Sequence, residues 1–201
     1  QLMLSKSEEN VLISESLGQE GPDSTKRARD TGQRRPLPVD VFAQISNWWF
    51  VAILEFLETT SKEHSAGTIA RRIGVPKANV EIALRQLTEL GIIEPDKRRL
   101  TRLKKTASAQ VILSHVPNDS LRKYHSQLLE KGKEALYFQS PGQKVIGSMT
   151  IACDPLDVVE IERRWVEFRK NLESFIEQGK NRTAVYSAVF EYFSLTKENE
   201  A

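Results

Sequence analysis

Phosphate binding is the chemistry that the types and spacing of residues indicate most directly in this sequence. Six basic residues fall within nine positions, and no acidic residue lies among them: Lys97, Arg98, Arg99, Arg102, Lys104 and Lys105. A strand this densely charged repels itself unless anions neutralise it, and each phosphate contacted adds about one unit to the salt dependence of binding. The competing interpretation is a solvated edge strand that its lysines guard against pairing.

Polar residues on the helix predicted just before this stretch supply groups that read base edges. Lys77, Asn79 and Arg85 fall on the side opposite Val80 and Leu87. Lysine bonds guanine or phosphate, and asparagine bonds adenine through two hydrogen bonds. A solvated helix face has the same composition, so these three residues gain weight only from the basic stretch that follows them. We interpret the two together as a double-stranded DNA interface.

Catalytic and metal-binding patterns do not occur. The sequence has no Gly-rich phosphate loop, no G-x-S-x-G and no H-E-x-x-H, and its three histidines are far apart. Its single cysteine, Cys153, allows no intrachain disulfide, and no apolar run is long enough to span a bilayer. We therefore expect a cytoplasmic protein that is not an enzyme, with no metal, no cofactor and no membrane contact.

The elements that position these residues run from Ser65 to Leu103. Apolar residues at helical spacing predict helices over 66–73 and 77–90, and Gly74 falls where the chain must reverse. Gly91 closes the second helix, and Ile92 and Ile93 lead into a strand that returns at 99–103. Two helices, a tight turn and a basic hairpin predict a winged helix-turn-helix.

The segments before this unit divide into a polar tail and a buried helix. Residues 1–36 show no sustained periodicity, and we expect disorder there. The tail contains a basic arm that is either a solvated linker or a site for a phosphate backbone or anionic ligand: Arg27, Arg29, Arg34 and Arg35. A helix predicted over 45–59 is apolar on all sides, so its Trp pair belongs to the core rather than to base stacking.

The C-terminal half is predicted to contain a helix followed by a β-α-β unit. The helices cover 117–138 and 156–178, and the strands cover 145–153 and 185–195. The second helix carries an apolar seam with spacings of three and four: Val158, Ile161, Trp165, Phe168, Leu172 and Phe175. The seam either joins two copies of the chain or packs on the sheet of its own domain. A dimer suits DNA, because paired recognition helices read two half-sites.

Five sequence blocks in this order resemble a family of bacterial regulators. The blocks are WWFVAILEFL, IARRIGVPKANVEIALRQLTELGII, SLRKYHSQLLEKGKEAL, IGSMTIACDP and AVYSAVFEYFSLTK, and the resemblance spans 39–197. The resemblance implies a transcription factor with a winged-helix segment and a C-terminal domain of unknown function. It implies no catalytic residues. Family members usually begin with a further small helical domain, which this chain does not show before Pro36, so we expect a truncated or short member.

The sequence as a whole predicts an α+β, mainly helical protein: a winged helix-turn-helix followed by a helix and a β-α-β C-terminal domain. We divide it into a disordered segment (1–36), a DNA-binding domain (37–106) and a dimerisation or sensing domain (107–201). The predicted function is a dimeric DNA-binding transcriptional regulator. The alternative is a winged-helix module that binds a protein partner or a small anionic effector such as a cyclic dinucleotide; RNA binding lacks the exposed aromatic pattern.

Overall fold

The structure is a computed structural model that describes residues 39–60, 64–95, 103–105 and 119–197. Its six α-helices are α1 (Val39–Gln44), α2 (Trp48–Leu57), α3 (Ala66–Ile73), α4 (Lys77–Glu89), α5 (Asp119–Phe138) and α6 (Val158–Glu177). Two short strands, β1 (Ile93–Pro95) and β2 (Leu103–Lys105), form the single sheet of the described part. The prediction of a mainly helical chain is therefore confirmed.

Helices α3 and α4 form a pair joined by a turn of three residues. The Ser65 hydroxyl accepts a hydrogen bond from the Thr68 amide at 3.3 Å and caps the start of α3. Gly74 ends α3 in the left-handed conformation, with φ 78°, and its amide donates to the Ala70 carbonyl. Only glycine adopts this conformation without steric cost, so the turn at 74–76 lies where the sequence predicts it.

The two strands follow α4 after a second left-handed glycine, Gly91, with φ 68°. They pair antiparallel, with Ile93 opposite Lys105, Glu94 opposite Lys104 and Pro95 opposite Leu103. The return strand was predicted at 99–103; of this range the structure describes Leu103 alone, which lies in β2. The basic residues from 97 to 102 lie outside the described residues.

The hydrophobic core lies between these first helices. Its largest fully buried side chains come from α2, α3, α4 and β1 and from the adjoining positions 45 and 92: Ile45, Ile53, Leu54, Ile69, Val80, Leu87, Ile92 and Ile93. Trp48 and Trp49 are half-buried beside this core, with their rings edge-on at 6.3 Å between centroids. This position agrees with the prediction that the Trp pair packs in the hydrophobic core.

The helix predicted over 45–59 is α2, which begins three residues later, at Trp48, and ends at Leu57. The short helix α1 lies before it, in a stretch that was predicted only as a lead-in. Asn47 is extended, with φ −77° and ψ 135°, and stands at the N-cap of α2. Serine and asparagine compete with the helical backbone through their side chains, which favours a helix start over continuation. Apolar residues occur on both sides of Trp48, so the apolar pattern does not show where α2 begins.

Helix α5 packs on the first helices, and Gln127 and Tyr124 make two of its contacts. The Gln127 side chain accepts a hydrogen bond from the Trp48 amide at 2.8 Å and donates to Asn47 Oδ1 at 3.3 Å, so it satisfies the start of α2. Tyr124 is the one buried residue of α5, and its ring meets Phe42 edge-on at 5.6 Å. Helix α5 therefore begins the C-terminal half while anchored to the N-terminal core.

The β-α-β arrangement predicted for the C-terminal half is not confirmed. Residues 145–153 and 185–195 form no strand in the part of the chain that the structure describes, and the helix between them, α6, has no buried residue. The two segments do approach each other, because Cys153 Sγ lies 2.7 Å from Tyr192 Oη. A strand requires a backbone partner as well as alternating side chains, and here that partner is missing.

Candidate nucleic-acid interface

The outer face of α4 is the surface on which the predicted base-contacting residues fall. Val80, Ala83 and Leu87 are fully buried against α2 and α3 and fix the rotation of the helix. The opposite face is exposed along its length and comprises Ala78, Glu81, Ile82, Arg85, Thr88 and Glu89. This outer face, the ridge of α4, is accessible, and the packing of the inner face on the core holds the helix in place.

The three predicted base-contacting residues occupy different positions on this ridge. Lys77 stands at the first turn, exposed, with its Nζ 3.3 Å from Glu81 Oε1. Asn79 is half-buried, and its backbone amide donates a hydrogen bond to the Pro76 carbonyl at 3.0 Å. Arg85 is exposed two turns further on and has no ion-pair partner among the described residues. Lys77 and Arg85 are thus more accessible than Asn79.

Charge on the ridge is balanced rather than basic. Lys77 and Arg85 are offset by Glu81 and Glu89, and the ion pair between Lys77 and Glu81 joins two exposed groups, which is worth little in water. A net positive field beside α4 must therefore come from elsewhere in the unit. The nearest basic residues in the sequence are Arg71 and Arg72 at the end of α3, and the largest group of them is in the hairpin.

An exposed isoleucine on the ridge was not among the predicted site residues. Ile82 is 54% exposed in the middle of the outer face and is the one large apolar side chain exposed among the described residues of 39–95. It follows Glu81 and lies opposite Val80 around the helix, so the helical period alone places it outside. An apolar side chain on a recognition helix contacts the thymine methyl group.

The hairpin lies directly after α4, and only part of its predicted phosphate-contacting residues belongs to the described chain. Lys104 and Lys105 belong to β2, paired with Glu94 and Ile93 of β1. Lys97, Arg98, Arg99 and Arg102 lie outside the described residues, as does the basic arm with Arg27, Arg29, Arg34 and Arg35. The described backbone places the pairing of β1 and β2 next to α2 and α4.

A cavity of about 680 Å³ lies behind the helix pair, between α2, α5 and residues 184–188. Its wall includes Trp48, Tyr124 and Phe138 together with two cations and two carboxylates: Arg72, Lys131, Glu55 and Glu134. Lys131 bonds Glu134 at 2.6 Å and lies 5.1 Å from the Trp48 ring centroid. Arg72 donates to the Thr183 carbonyl at 2.6 Å, which links α3 to the C-terminal segment.

Tyr124 is the one tyrosine in this wall that belongs to the hydrophobic core. Burial raises the pKa of Tyr124 to about 12, and the negative charge of Glu55 adds to the effect. The phenol is therefore neutral at physiological pH and is a hydrogen-bonding group rather than a base.

The predicted seam on α6 is only partly covered. Trp165 stacks on Phe168 at 5.7 Å and on Phe190 at 4.6 Å, so the segment 185–195 lies over the middle of the seam. Val158, Phe168 and Phe175 remain largely exposed, while Ile161 and Leu172 are half-buried. Hydrogen bonds from Arg163 and Arg164 lower the pKa of Glu160 to about 2, so the charges beside the seam pair within the helix.

The described residues contain neither a metal-binding cluster nor a helix that could span a membrane. No group of three or more His, Cys, Asp or Glu side chains in those ranges comes together in a way that would hold a metal ion. In the same ranges, no helix has both the length and the apolar character needed to cross a membrane.

Comparison with protein families gives one match. Residues 28–195 match the model of a domain of unknown function, DUF4423. Because the match covers most of the chain, the protein belongs to the DUF4423 family. No curated protein and no solved structure matches the chain.

Proposed function

We propose that the chain is a dimeric, DNA-binding transcriptional regulator and not an enzyme, with 39–105 acting as a winged helix-turn-helix domain. The observation that carries the proposal is the exposed ridge of α4, held by α3 across a three-residue turn and followed at once by a hairpin. In this arrangement α4 enters the major groove, and its first turns meet base edges. Lys77, Ile82 and Arg85 are the described side chains that reach the bases, with Asn79 behind them.

The hairpin supplies the affinity in this proposal. The ridge of α4 carries as many acids as bases, so on its own it has little attraction for a polyanion. The six basic residues between 97 and 105 provide that attraction by contacting phosphates of the flanking backbone. Sequence specificity then resides in α4, whereas salt-dependent affinity resides in the hairpin.

A binding titration with genomic DNA fragments at several salt concentrations tests this division. Arg98→Ala combined with Arg99→Ala is expected to weaken binding to all sequences alike and to reduce the salt slope by about two. Arg85→Ala is expected to cost about 1–3 kcal/mol on the preferred fragment and less on others.

The matched control for these variants is Lys133→Ala combined with Lys170→Ala, which removes two exposed charges from α5 and α6. This control is expected to leave both affinity and salt slope unchanged. DNA binding that responds equally to the hairpin variant and the control, or no binding at all, would overturn the assignment.

A second function, effector binding, is favoured by the cavity behind the helix pair. Its volume falls in the range of small-molecule sites, and its wall combines aromatic rings with a few polar groups. Two cations balanced by two carboxylates suit a neutral or zwitterionic molecule better than a cyclic dinucleotide. A cyclic dinucleotide would instead require the arginines of the arm from Arg27 to Arg35.

Calorimetry separates these two effector sites. A heat of binding for a cyclic dinucleotide that disappears in Arg34→Ala plus Arg35→Ala, but persists in Lys131→Ala, would assign that ligand to the arm. Absence of heat at high concentration would remove the cyclic-dinucleotide version. A thermal-shift screen of uncharged and zwitterionic metabolites, repeated on Lys131→Ala, tests the cavity.

A further inference from the structure

The C-terminal half contains two extended segments whose backbones have no partner. Residues 145–153 and 185–195 make no backbone hydrogen bond to another segment within the described residues. Both have the alternating apolar pattern of strands, and they contain one charged residue between them, Glu191. Unpaired extended segments that are apolar and nearly uncharged are templates for pairing with another chain.

Apolar side chains of α6 and of these two segments are exposed to an extent that is unusual for a monomer. Five aromatic residues of α6 and the second segment are between 45% and 74% exposed: Phe168, Phe175, Tyr186, Phe190 and Phe193. An aromatic side chain offers about 150–250 Å², so these five alone expose on the order of 600 Å². The aliphatic residues Val145, Met149 and Ile151 in the first segment add to this area and are more than half exposed.

The area matches what a dimer requires. A standard interface buries about 800 Å² on each partner, whereas the largest apolar patch on a typical monomer is about 300–600 Å². The strand count leads to the same conclusion. A sheet needs about three strands to be stable, and one chain offers only two segments here. Two copies offer four.

We propose that this surface, defined by segments 145–153 and 185–195 with the exposed seam of α6, is covered by the same surface of a second copy. The segments of the two copies pair edge to edge into one sheet, and α6 of each copy covers it through the stack of Trp165 on Phe190. The pairing is isologous, because each copy contributes the same segments around a two-fold axis.

Charge favours a second copy over a different partner. Three arginines of α6 are paired along the helix, with Arg163 and Arg164 both on Glu160 and Arg169 at 3.7 Å from Glu173. The two extended segments contain only one charged residue, Glu191. The segments therefore offer little charge to select an acidic or basic partner, and a nearly uncharged edge meets its own copy with little repulsion.

This inference deepens the dimer of the proposed function, and its experiment contains no DNA. The full chain is examined by light scattering and sedimentation over a range of concentrations. We expect a mass twice that of the 22.8 kDa chain. A dimer that fails to bind DNA would remove the proposed function and leave this inference standing.

Two substitutions place a charge in the surface, Ile151→Asp in the first segment and Phe193→Asp in the second. Each is expected to weaken dimerisation by on the order of tenfold or more, since a carboxylate would be buried without a partner. Ile82→Asp, at a side chain of similar exposure on α4, is the matched control and is expected to leave the mass unchanged. Both residues are exposed in a single copy, so the helical circular dichroism is expected to persist.

Amide hydrogen exchange of the unsubstituted protein tests the pairing directly. The amides of 145–153 and 185–195 are expected to exchange slowly in the dimer and to lose protection on dilution. Three results would overturn the proposal: a monomer at every concentration, a dimer that both aspartate variants leave intact, or unprotected amides in the dimer. Slowly exchanging amides in a monomer would mean that another part of the same chain pairs with these segments, which would also overturn the proposal.

Discussion

The two apolar regions of the chain, residues 42–93 and 145–195, are similar in pattern and opposite in burial. In the first, apolar side chains of α1 to α4 are buried against one another, and only Ile82 among the large ones is exposed. In the second, α6 has no buried residue, and most large apolar side chains of the two extended segments are exposed. Periodicity shows that a face is apolar, but it does not show whether the chain itself provides the partner. The first region completes its own core, whereas the second requires another surface.

A substitution in the first core has the largest expected effect. Leu87→Ala removes a fully buried side chain of α4 and is expected to lower the free energy of unfolding by about 2–5 kcal/mol. Ile82→Ala, on the same helix but 54% exposed, is expected to change it by less than about 0.5 kcal/mol. Urea unfolding followed by circular dichroism measures both. Equal losses for the two variants would contradict the division between inner and outer faces of α4.

Alkaline pH tests the contact that joins α5 to the first of these regions. Tyr124, buried against Phe42, has a pKa raised to about 12 from 10, so the folded state holds its proton more tightly than the unfolded state. Stability from this residue is intact below pH 10 and falls as pH rises towards 12, by about 2 kcal/mol. Tyr124→Phe is expected to lack this loss. The same alkaline loss in both proteins would show that α5 is not anchored through this ring.

Two glycines sharpen the comparison between a turn and a helix interior. Gly74→Ala is expected to destabilise by about 1–2 kcal/mol, because alanine is strained at φ 78° although no atom lies within 4 Å of its Cβ. Gly132→Ala, within α5 and equally unobstructed, is expected to stabilise by about 0.5–1 kcal/mol. Thermal unfolding distinguishes the two signs. A stabilising Gly74→Ala would mean that the turn between α3 and α4 has a different backbone.

The smallest expected effect concerns the charges beside the seam. Hydrogen bonds from Arg163 and Arg164 lower the pKa of Glu160 to about 2, so the folded state favours the carboxylate. The stability gained is present above the usual glutamate pKa and is lost as pH falls towards 2; it is small because the group is exposed.

An NMR titration of the side-chain carboxyl measures this shift. Arg163→Gln is expected to raise the pKa of Glu160. Glu167→Gln, which removes only the second partner of Arg163, is expected to leave the pKa of Glu160 lowered. A Glu160 carboxyl that titrates normally in the unsubstituted protein would contradict the pairing along α6.

Of the candidate site, the sequence predicted the helix and its outer face but not the relative accessibility of the residues on it. Lys77 and Arg85 lie exposed as expected, and Asn79 is half-buried. Ile82 was not predicted, because an apolar side chain carries no polar group that would indicate a base contact. The roles of the hairpin and of the arm stay predictions, as does DNA binding itself. The cavity between α2 and α5 had no signal in the sequence, since its wall comes from four separate segments between residues 48 and 188.

The sequence by itself determined the elements whose causes are local. Ser65, Gly74 and Gly91 act through their own backbone and nearest turns, so α3, the reversal and the end of α4 follow from residue type and spacing. The tertiary structure decided what depends on distant groups. It set the start of α2 at Trp48, where Gln127 bonds Asn47 from eighty residues away, and it left 145–153 and 185–195 without strand partners. A strand forms only where a second backbone lies within hydrogen-bonding distance, and alternation along one segment contains no information about that backbone.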